Sequence, residues 1–371
     1  MTVRGGSAAG RFGQATELLE RGAREKAYTA AVLLAARGDD VVFHAATGEA
    51  HLSSVFDVAS LTKPLVAALF FVLVQQGKLS PAGKLADVLP APSPDPAFGE
   101  IRFAHLLAHT SGLPAWRPLY AEIREAEERE GRRLAGGAEG HDRAVAAILA
   151  MPLSTPPGTR CVYSDLGYIL LGRAIEVAAF LALDRLLRRE ICGPLKMADT
   201  GYLPLASLSE CETGRLVSTG RSEVRGREKM GEVDDENAAA MGGVAGHAGV
   251  FSTAHDLYLF AREVLRARRG EGRVLTRPSA MAMTTRAPEP PGCERTLGLD
   301  TPAPQGSQAG RRFPDGSFGH LAFTGCSMWV DPAREATVVL LSNRVFCGEQ
   351  NNGLKTLRPL IHDAVMEELV P

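Results

Sequence analysis

The sequence predicts an α+β fold in which one mixed sheet, built from segments near both ends of the chain, is covered by helices and carries an inserted helical subdomain. Three observations predict it. Runs with strand character, Tyr28–Ala36, Asp40–Ala46, Phe318–Phe323, Ser327–Val330 and Ala336–Ser342, sit near the two ends. Between them the pattern is helical and loop-rich. With 371 residues, 45% of them hydrophobic, the chain is long enough to close one large core. We expect a single domain over 1–371, with the α/β part at about 1–85 and 250–371 and the helical subdomain at about 86–249.

In chain order, Arg11–Lys26 is amphipathic and reads as an opening helix. Tyr28–Ala36 and Asp40–Ala46, separated by Arg37-Gly38-Asp39, form a hairpin. Ser60–Gly77 is helical and mostly apolar, as a helix buried between layers must be. Leu79–Phe98 is proline-rich with short helical fragments, and Phe103–Ala108 is a helix stopped before Gly112, a residue suited to a left-handed cap. Ala121–Arg133 alternates charge with few apolar residues and reads as a solvated helix rather than a lid. Val145–Met151, Leu166–Phe180 and Leu183–Ile191 continue the helical signal, whereas Arg221–Asn237 is polar and reads as a loop. Helices near Ala254–Arg268 and Leu354–Leu369 bracket the three C-terminal strands.

Composition excludes several functions. A formal charge of −2 leaves no basic excess for a phosphate backbone, so no nucleic-acid partner is expected. The cysteines Cys161, Cys192, Cys211, Cys293, Cys326 and Cys347 have neither C-x-x-C pairing nor metal-ligand spacing, which fits reduced thiols. Met1–Ala30 carries charges throughout and no apolar run before a cleavage site, and Leu65–Val74 is about half a bilayer-spanning length. A cytoplasmic protein without a membrane partner is therefore expected. Seven of the 41 basic residues are lysine, so a lysine marks a place where arginine would not serve.

G-x-S-x-G, H-E-x-x-H, the Walker loop and a strand-linked G-x-G-x-x-G are all absent. The glycines of Met241–Val250 read as a structural turn. His105 and His109, spaced i, i+4, read as capping or core histidines, because no third metal ligand accompanies them. What remains is Ser60-Leu61-Thr62-Lys63 at the start of the buried helix. Three residues of helix place Ser60 Oγ and Lys63 Nζ on one face within hydrogen-bond reach. Free N–H groups at a helix start make the Ser60 N–H an oxyanion donor. A desolvated lysine can act as a base where arginine would stay protonated. By itself the pattern equally fits an N-cap serine with a lysine reaching to water. Tyr163-Ser164-Asp165, opening the helix that follows Pro156-Pro157-Gly158-Thr159, adds a phenol able to relay a proton, or else a half-buried aromatic with a satisfied hydroxyl.

From about Val41 onward the chain resembles the serine β-lactamase and penicillin-recognising fold, specifically the class C β-lactamase-like group with its esterases and DD-peptidases. The resemblance rests on FDVASLTKP, HLLAHTSGLPAW, PPGTRCVYSDLGYILLG, GPLKMADTGY, GGVAGHAGVFSTAHDL, FGHLAFTGCSMWVDP and LLSNRV, in the order and spacing of that family. It implies an antiparallel sheet flanked by helices, with an active site in the groove beside the helical subdomain. It further implies Ser60 as the acylated nucleophile, Lys63 as its base partner, Tyr163 as proton shuttle and His320 at the head of the third motif. The N–H groups of Ser60 and Phe323 would form the oxyanion hole, and Asp165, Leu321, Ala322 and Thr324 would line the substrate site.

Two departures from the family pattern bear on activity. Asp165 replaces the usual asparagine of the second motif, and an ionised carboxylate beside Lys63 favours the ammonium form. Ala322 stands where the third motif usually has glycine. The expected function is a serine hydrolase that forms an acyl-enzyme on a small-molecule ester, amide or peptide and needs no cofactor or metal. Two alternatives remain: a catalytically silent relative that binds a peptide or acyl ligand, and a metal-dependent hydrolase using His105, His109 or His247.

Overall fold

The computed structural model describes residues 11–202 and 214–370, so Cys211 and the first ten residues lie outside the described residues. The chain opens with α1 (Gly13–Arg24), followed by β1 (Ala30–Arg37) and β2 (Asp40–Gly48), joined by a tight turn in which Gly38 takes φ 58°. Short strands β3 (Phe56–Asp57), β4 (Gly201–Tyr202), β5 (Arg221–Ser222), β6 (Arg227–Glu228) and β7 (Val250–Ser252) precede the C-terminal strands β8 (Phe318–Leu321), β9 (Ser327–Asp331) and β10 (Ala336–Ser342). The main sheet runs β2-β1-β10-β9-β8 and every neighbouring pair is antiparallel. The sheet predicted from both chain ends is present, and it is antiparallel rather than mixed.

The centre of this sheet is buried on both faces. Val32 and Leu34 of β1 belong to a core shared with α2 (Thr62–Gln75), whereas Ala31, Leu33 and Ala35 face α1 and the C-terminal helix Gly353–Leu369. All residues from Thr62 to Leu73 are buried, which explains why α2 is apolar on every face. Each fully buried Leu, Val or Phe of that helix contributes roughly 1.5–3 kcal/mol. The site residues at the helix start are therefore anchored to a helix buried on every side.

Between α2 and β7 lie α3 (Phe103–Leu107), α4 (Leu119–Glu130), α5 (Ala138–Leu149) and α6 (Asp165–Ala179), and α4 is the predicted solvated helix. Four local readings need correction. Helix α3 ends at Leu107, one residue short of the predicted Phe103–Ala108, while His105 accepts the Arg102 N–H at 3.1 Å as a cap and His109, at φ 58°, is buried, the capping and core roles expected of them. The strand predicted over Phe318–Phe323 stops at Leu321, where Ala322–Cys326 form a turn around Gly325, φ 109°. A Cβ at Gly325 would lie 2.3 Å from Ser342 Oγ, so only glycine fits there. The polar stretch Arg221–Asn237 contains the β5–β6 hairpin and the start of a short helix, Glu236–Ala240, rather than a plain loop. The small sheet β3-β7-β4 escaped prediction because two- and three-residue strands carry no periodicity.

Candidate active site

Strand β3 delivers the chain to Asp57, and a single 3₁₀ turn, Ala59–Leu61, leads into α2. Ala59 sits at φ 41°, an unusual conformation for a residue with a Cβ, held by an Ala59 N–H that donates to Asp57 Oδ1 at 2.7 Å. The next residue, Ser60, lies in a first turn, whose N–H groups have no partner inside the helix. Lys63 is completely buried. Its Nζ donates to Ser60 Oγ at 2.9 Å and to the His247 carbonyl at 3.1 Å, and pairs with Asp165 Oδ1 at 2.8 Å. Ser60 Oγ and the His247 carbonyl take hydrogen bonds from the ammonium, and the Asp165 carboxylate offsets its charge. Burial works to lower the Lys63 pKa, but the charges of Asp165 and Tyr163 outweigh it and hold the group above its usual range.

Tyr163 precedes Ser164, which caps α6 by accepting the Gly167 N–H at 3.2 Å and is fixed by donating to the Pro114 carbonyl at 2.6 Å. The phenol ring stacks on His109 at 4.4 Å, and the Arg295 guanidinium lies 4.8 Å from the ring centre. Lys63 Nζ lies 4.7 Å from the Tyr163 ring centre. Burial raises the Tyr163 pKa, partly opposed by Lys63. His109 accepts the Ser164 N–H at Nδ1, 2.9 Å, and burial, with Arg295 nearby, drives its pKa well down, so it is a neutral core histidine supporting Tyr163.

Across the groove, His320 of β8 is buried and its Nδ1 lies 2.7 Å from the Leu321 carbonyl, which places the proton on Nδ1 and leaves Nε2 as acceptor. Burial lowers its pKa, favouring the neutral ring. Leu321 and Ala322 line the groove, and Asp165 faces it while paired to Lys63. Thr324 is a correction: it is fully buried and its hydroxyl donates to the Asp57 carbonyl at 2.9 Å, so it braces the turn and does not meet substrate. Phe323 stands 50% exposed, and its N–H has no hydrogen-bond acceptor among the described residues. Arg344 holds that turn, with Nε donating to the Phe323 carbonyl at 2.8 Å and its guanidinium 4.8 Å from the phenyl centre.

These residues surround a groove of about 1170 Å³ that also includes Trp116, Phe346, Lys229 and Arg295. Sequence reasoning missed this outer wall. Arg295 is paired with Asp300, and Lys229 Nζ donates to Asp234 Oδ1 at 2.6 Å with both side chains buried. Lysine scarcity could have singled out Lys229; Arg295 had no comparable signal.

The other chemistries considered have weaker geometry. His247 Nε2 lies 2.9 Å from Asp235 Oδ1, and among the described residues no three His, Cys, Asp or Glu side chains converge as a metal site would. Cys326 is buried and its thiol is pushed up to about 12, while Ser111 is buried with its Oγ accepting the Leu113 N–H. The five described cysteines are free thiols.

A family model described as Beta-lactamase matches residues 15–360. The chain belongs to the Beta-lactamase family. An Escherichia coli (strain K12) protein named as a D-alanyl-D-alanine carboxypeptidase is 29% identical over 322 residues, covering 80% of this chain and 70% of its own length. A Bacillus subtilis (strain 168) N-acetylmuramyl-L-alanine amidase is 30% identical over 316 residues, covering 78% and 68%. Among solved structures, a penicillin-binding protein homologue from Caulobacter crescentus superposes with a TM-score of 0.70 at 17% identity, covering 98% of this chain and 100% of that one. EstCE1, a hydrolase with promiscuous acyltransferase activity, superposes with a TM-score of 0.69 at 21% identity, covering 94% and 97%. The fold is β-lactamase/transpeptidase-like, and this Beta-lactamase family member is a serine hydrolase.

Proposed function

We propose that the protein is a class C β-lactamase-like hydrolase that forms an acyl-enzyme on an ester or a small amide or peptide carbonyl, with Ser60 as nucleophile. The observation that carries this reading is the Lys63 Nζ, 2.9 Å from Ser60 Oγ at an open helix start, with the Tyr163 ring 4.7 Å from that same Nζ. Because Lys63 rests as an ammonium, the working base is the Lys63–Tyr163 pair with one proton fewer, a single titration shared between the two groups. Ser60 Oγ attacks the carbonyl carbon as its proton passes to that pair. The oxyanion is held by the N–H groups of Ser60 and Phe323. The pair returns the proton to the leaving alcohol or amine as that bond breaks. In deacylation, water gives a proton to the pair, attacks the acyl carbon, and Ser60 recovers its proton as the acid departs.

Compact esters suit this groove better than extended peptides or β-lactams. The Ala322 N–H is spent on the Cys326 carbonyl at 2.8 Å and its carbonyl accepts the Gly325 N–H at 3.1 Å, so this position does not offer its N–H to an incoming peptide backbone. The scattered spacing of the cysteines, without C-x-x-C pairs, supports a reducing, cytoplasmic setting.

A fluorophosphonate probe followed by intact-mass measurement tests the assignment. One adduct on the wild type and none on Ser60→Ala is expected; an undiminished adduct on Ser60→Ala moves the nucleophile elsewhere. A wild type that takes no adduct but binds acyl ligands supports the ligand-binding alternative, which the Lys63–Asp165 ion pair favours by keeping the base protonated.

A further inference from the structure

Behind Ser60 lies a buried network that the proposed reaction does not use. Asp57, fully enclosed, accepts the Ala59 N–H at Oδ1, 2.7 Å, and the Asp234 N–H at Oδ2, 2.5 Å. Its own carbonyl accepts the Thr324 hydroxyl at 2.9 Å and faces the Cys326 thiol at 3.7 Å. One residue therefore touches both sides of the oxyanion hole. Its carboxylate fixes Ala59 in the left-handed conformation that aims Ser60, and its carbonyl fixes Thr324, the neighbour of Phe323. The Asp234 N–H is held in turn because the Asp234 carboxylate pairs with buried Lys229 at 2.6 Å.

We propose that Asp57, supported by the Lys229–Asp234 pair, is a positioning residue that sets the two oxyanion donors relative to the Ser60 hydroxyl. The inference rests on Ser60 being the nucleophile. The ionised carboxylate accepts both N–H groups without competition, whereas a protonated one carries an O–H donor on one oxygen and accepts more weakly from the N–H facing it. Burial, with the Asp234 and Asp235 charges nearby, pushes the Asp57 carboxyl up to about 7, opposed by the Ala59 and Asp234 N–H groups. Asp234 and Asp235 face it directly, with Lys229 and Arg344 acting on Asp234 and His247 paired to Asp235, while its other sides offer the Ala59 N–H, the Thr324 hydroxyl and the Cys326 thiol, with Arg358 beyond Cys326. Such a carboxylate is ionised at some expense to folding, so stability alone gives no reason to keep it there.

Asp57→Asn imitates the protonated state at every pH, because its amide meets one of the two N–H donors with hydrogens. The test measures fluorophosphonate labelling rates and short-chain ester kcat and KM from pH 5 to 9 for wild type, Asp57→Asn and Lys229→Gln. We expect Asp57→Asn to lose roughly 10²-fold in kcat at pH 8, the scale of a misplaced catalytic geometry, with KM changed less than about threefold. The wild-type profile should steepen below about pH 7, and that steepening should be missing in Asp57→Asn. Lys229→Gln leaves Asp234 uncompensated, so the steepening should move to higher pH. An Asp57→Asn within threefold of wild type at all pH values overturns the inference, as does a Lys229→Gln profile with an unmoved break. Should Asp57→Asn lack a cooperative melt, the Lys229→Gln break alone decides. Loss of covalent labelling in Ser60→Ala reads the nucleophile assignment separately.

Discussion

Replacing Asp165 by asparagine removes the anion that keeps Lys63 protonated, with little change in shape. The two groups are 2.8 Å apart, the lysine is completely buried, and the Asp165 side chain is 19% exposed. Two unit charges 4 Å apart near a protein surface attract by roughly 4 kcal/mol. Solvent screening of the partly exposed Asp165 reduces what Lys63 feels to about half of that. A loss of ~2 kcal/mol corresponds to about 30-fold more of the pair with one proton fewer. Below the pH at which that pair titrates, kcat/KM for a short-chain ester should rise on this scale, and the rising limb of the profile should move to lower pH. Stability supplies an independent reading. The Lys63 pKa is raised in the folded state, so its contribution is present at neutral pH and lost as pH climbs through the folded value. In Asp165→Asn the melting temperature should be lower near pH 7 and the alkaline fall should begin earlier. An unmoved rate limb would show that the ion pair does not control the proton that leaves during acylation.

Three further outcomes follow from the same geometry. Lys63→Arg should be nearly as inactive as Lys63→Ala in ester hydrolysis, because arginine keeps the charge without a removable proton and must fit a site with no exposed surface; near-native acylation would reduce Lys63 to an electrostatic role. Ser60→Ala should lose turnover yet still melt cooperatively, destabilised by no more than the roughly 1–3 kcal/mol that a buried ammonium loses with one acceptor; loss of the cooperative melt would make Ser60 structural. Ala322→Gly should raise kcat/KM for a β-lactam or D-Ala peptide over that for an ester by about tenfold, the effect of one methyl in a tight site; an unchanged ratio would show that the methyl does not face the groove.

The sequence made the frame and the inner triad legible for different reasons. Long elements such as Ala254–Arg268 carry enough periods to be read to the residue, and S-x-x-K with Tyr163 is local chemistry written at fixed spacing. The turn after β8 escapes the sequence because Phe318–Phe323 is, apart from His320, an apolar run, and the break at Ala322 is enforced from outside. Gly325 must clear Ser342 and Leu354, and Arg344 pulls on the Phe323 carbonyl. Thr324 was assigned to substrate for a related reason: a hydroxyl in a motif looks like a ligand until its partner, Asp57, 267 residues away in sequence, is known. Contacts of that range leave no trace in a single chain's pattern.

The scarcity of lysine marks two positions of the site. The chain chooses arginine for positive charge almost everywhere, which made Lys63 conspicuous. Of its seven lysines only Lys63 and Lys229 are buried, and both end against a carboxylate beside the groove. Lys229 lay in a stretch read as a polar loop, where a charged side chain needs no explanation. Burial changes that, because an ammonium removed from water must be paired, and its compact head donates to one carboxylate where a planar guanidinium would demand a wider cradle. At position 63 the removable proton is the reason for lysine. At 229 the pair Lys229–Asp234 is closed and the benefit lies one step away, in an Asp234 N–H aimed at Asp57. The same residue choice thus marks two tasks in one site: moving a proton at its centre and holding the nucleophile's turn from behind.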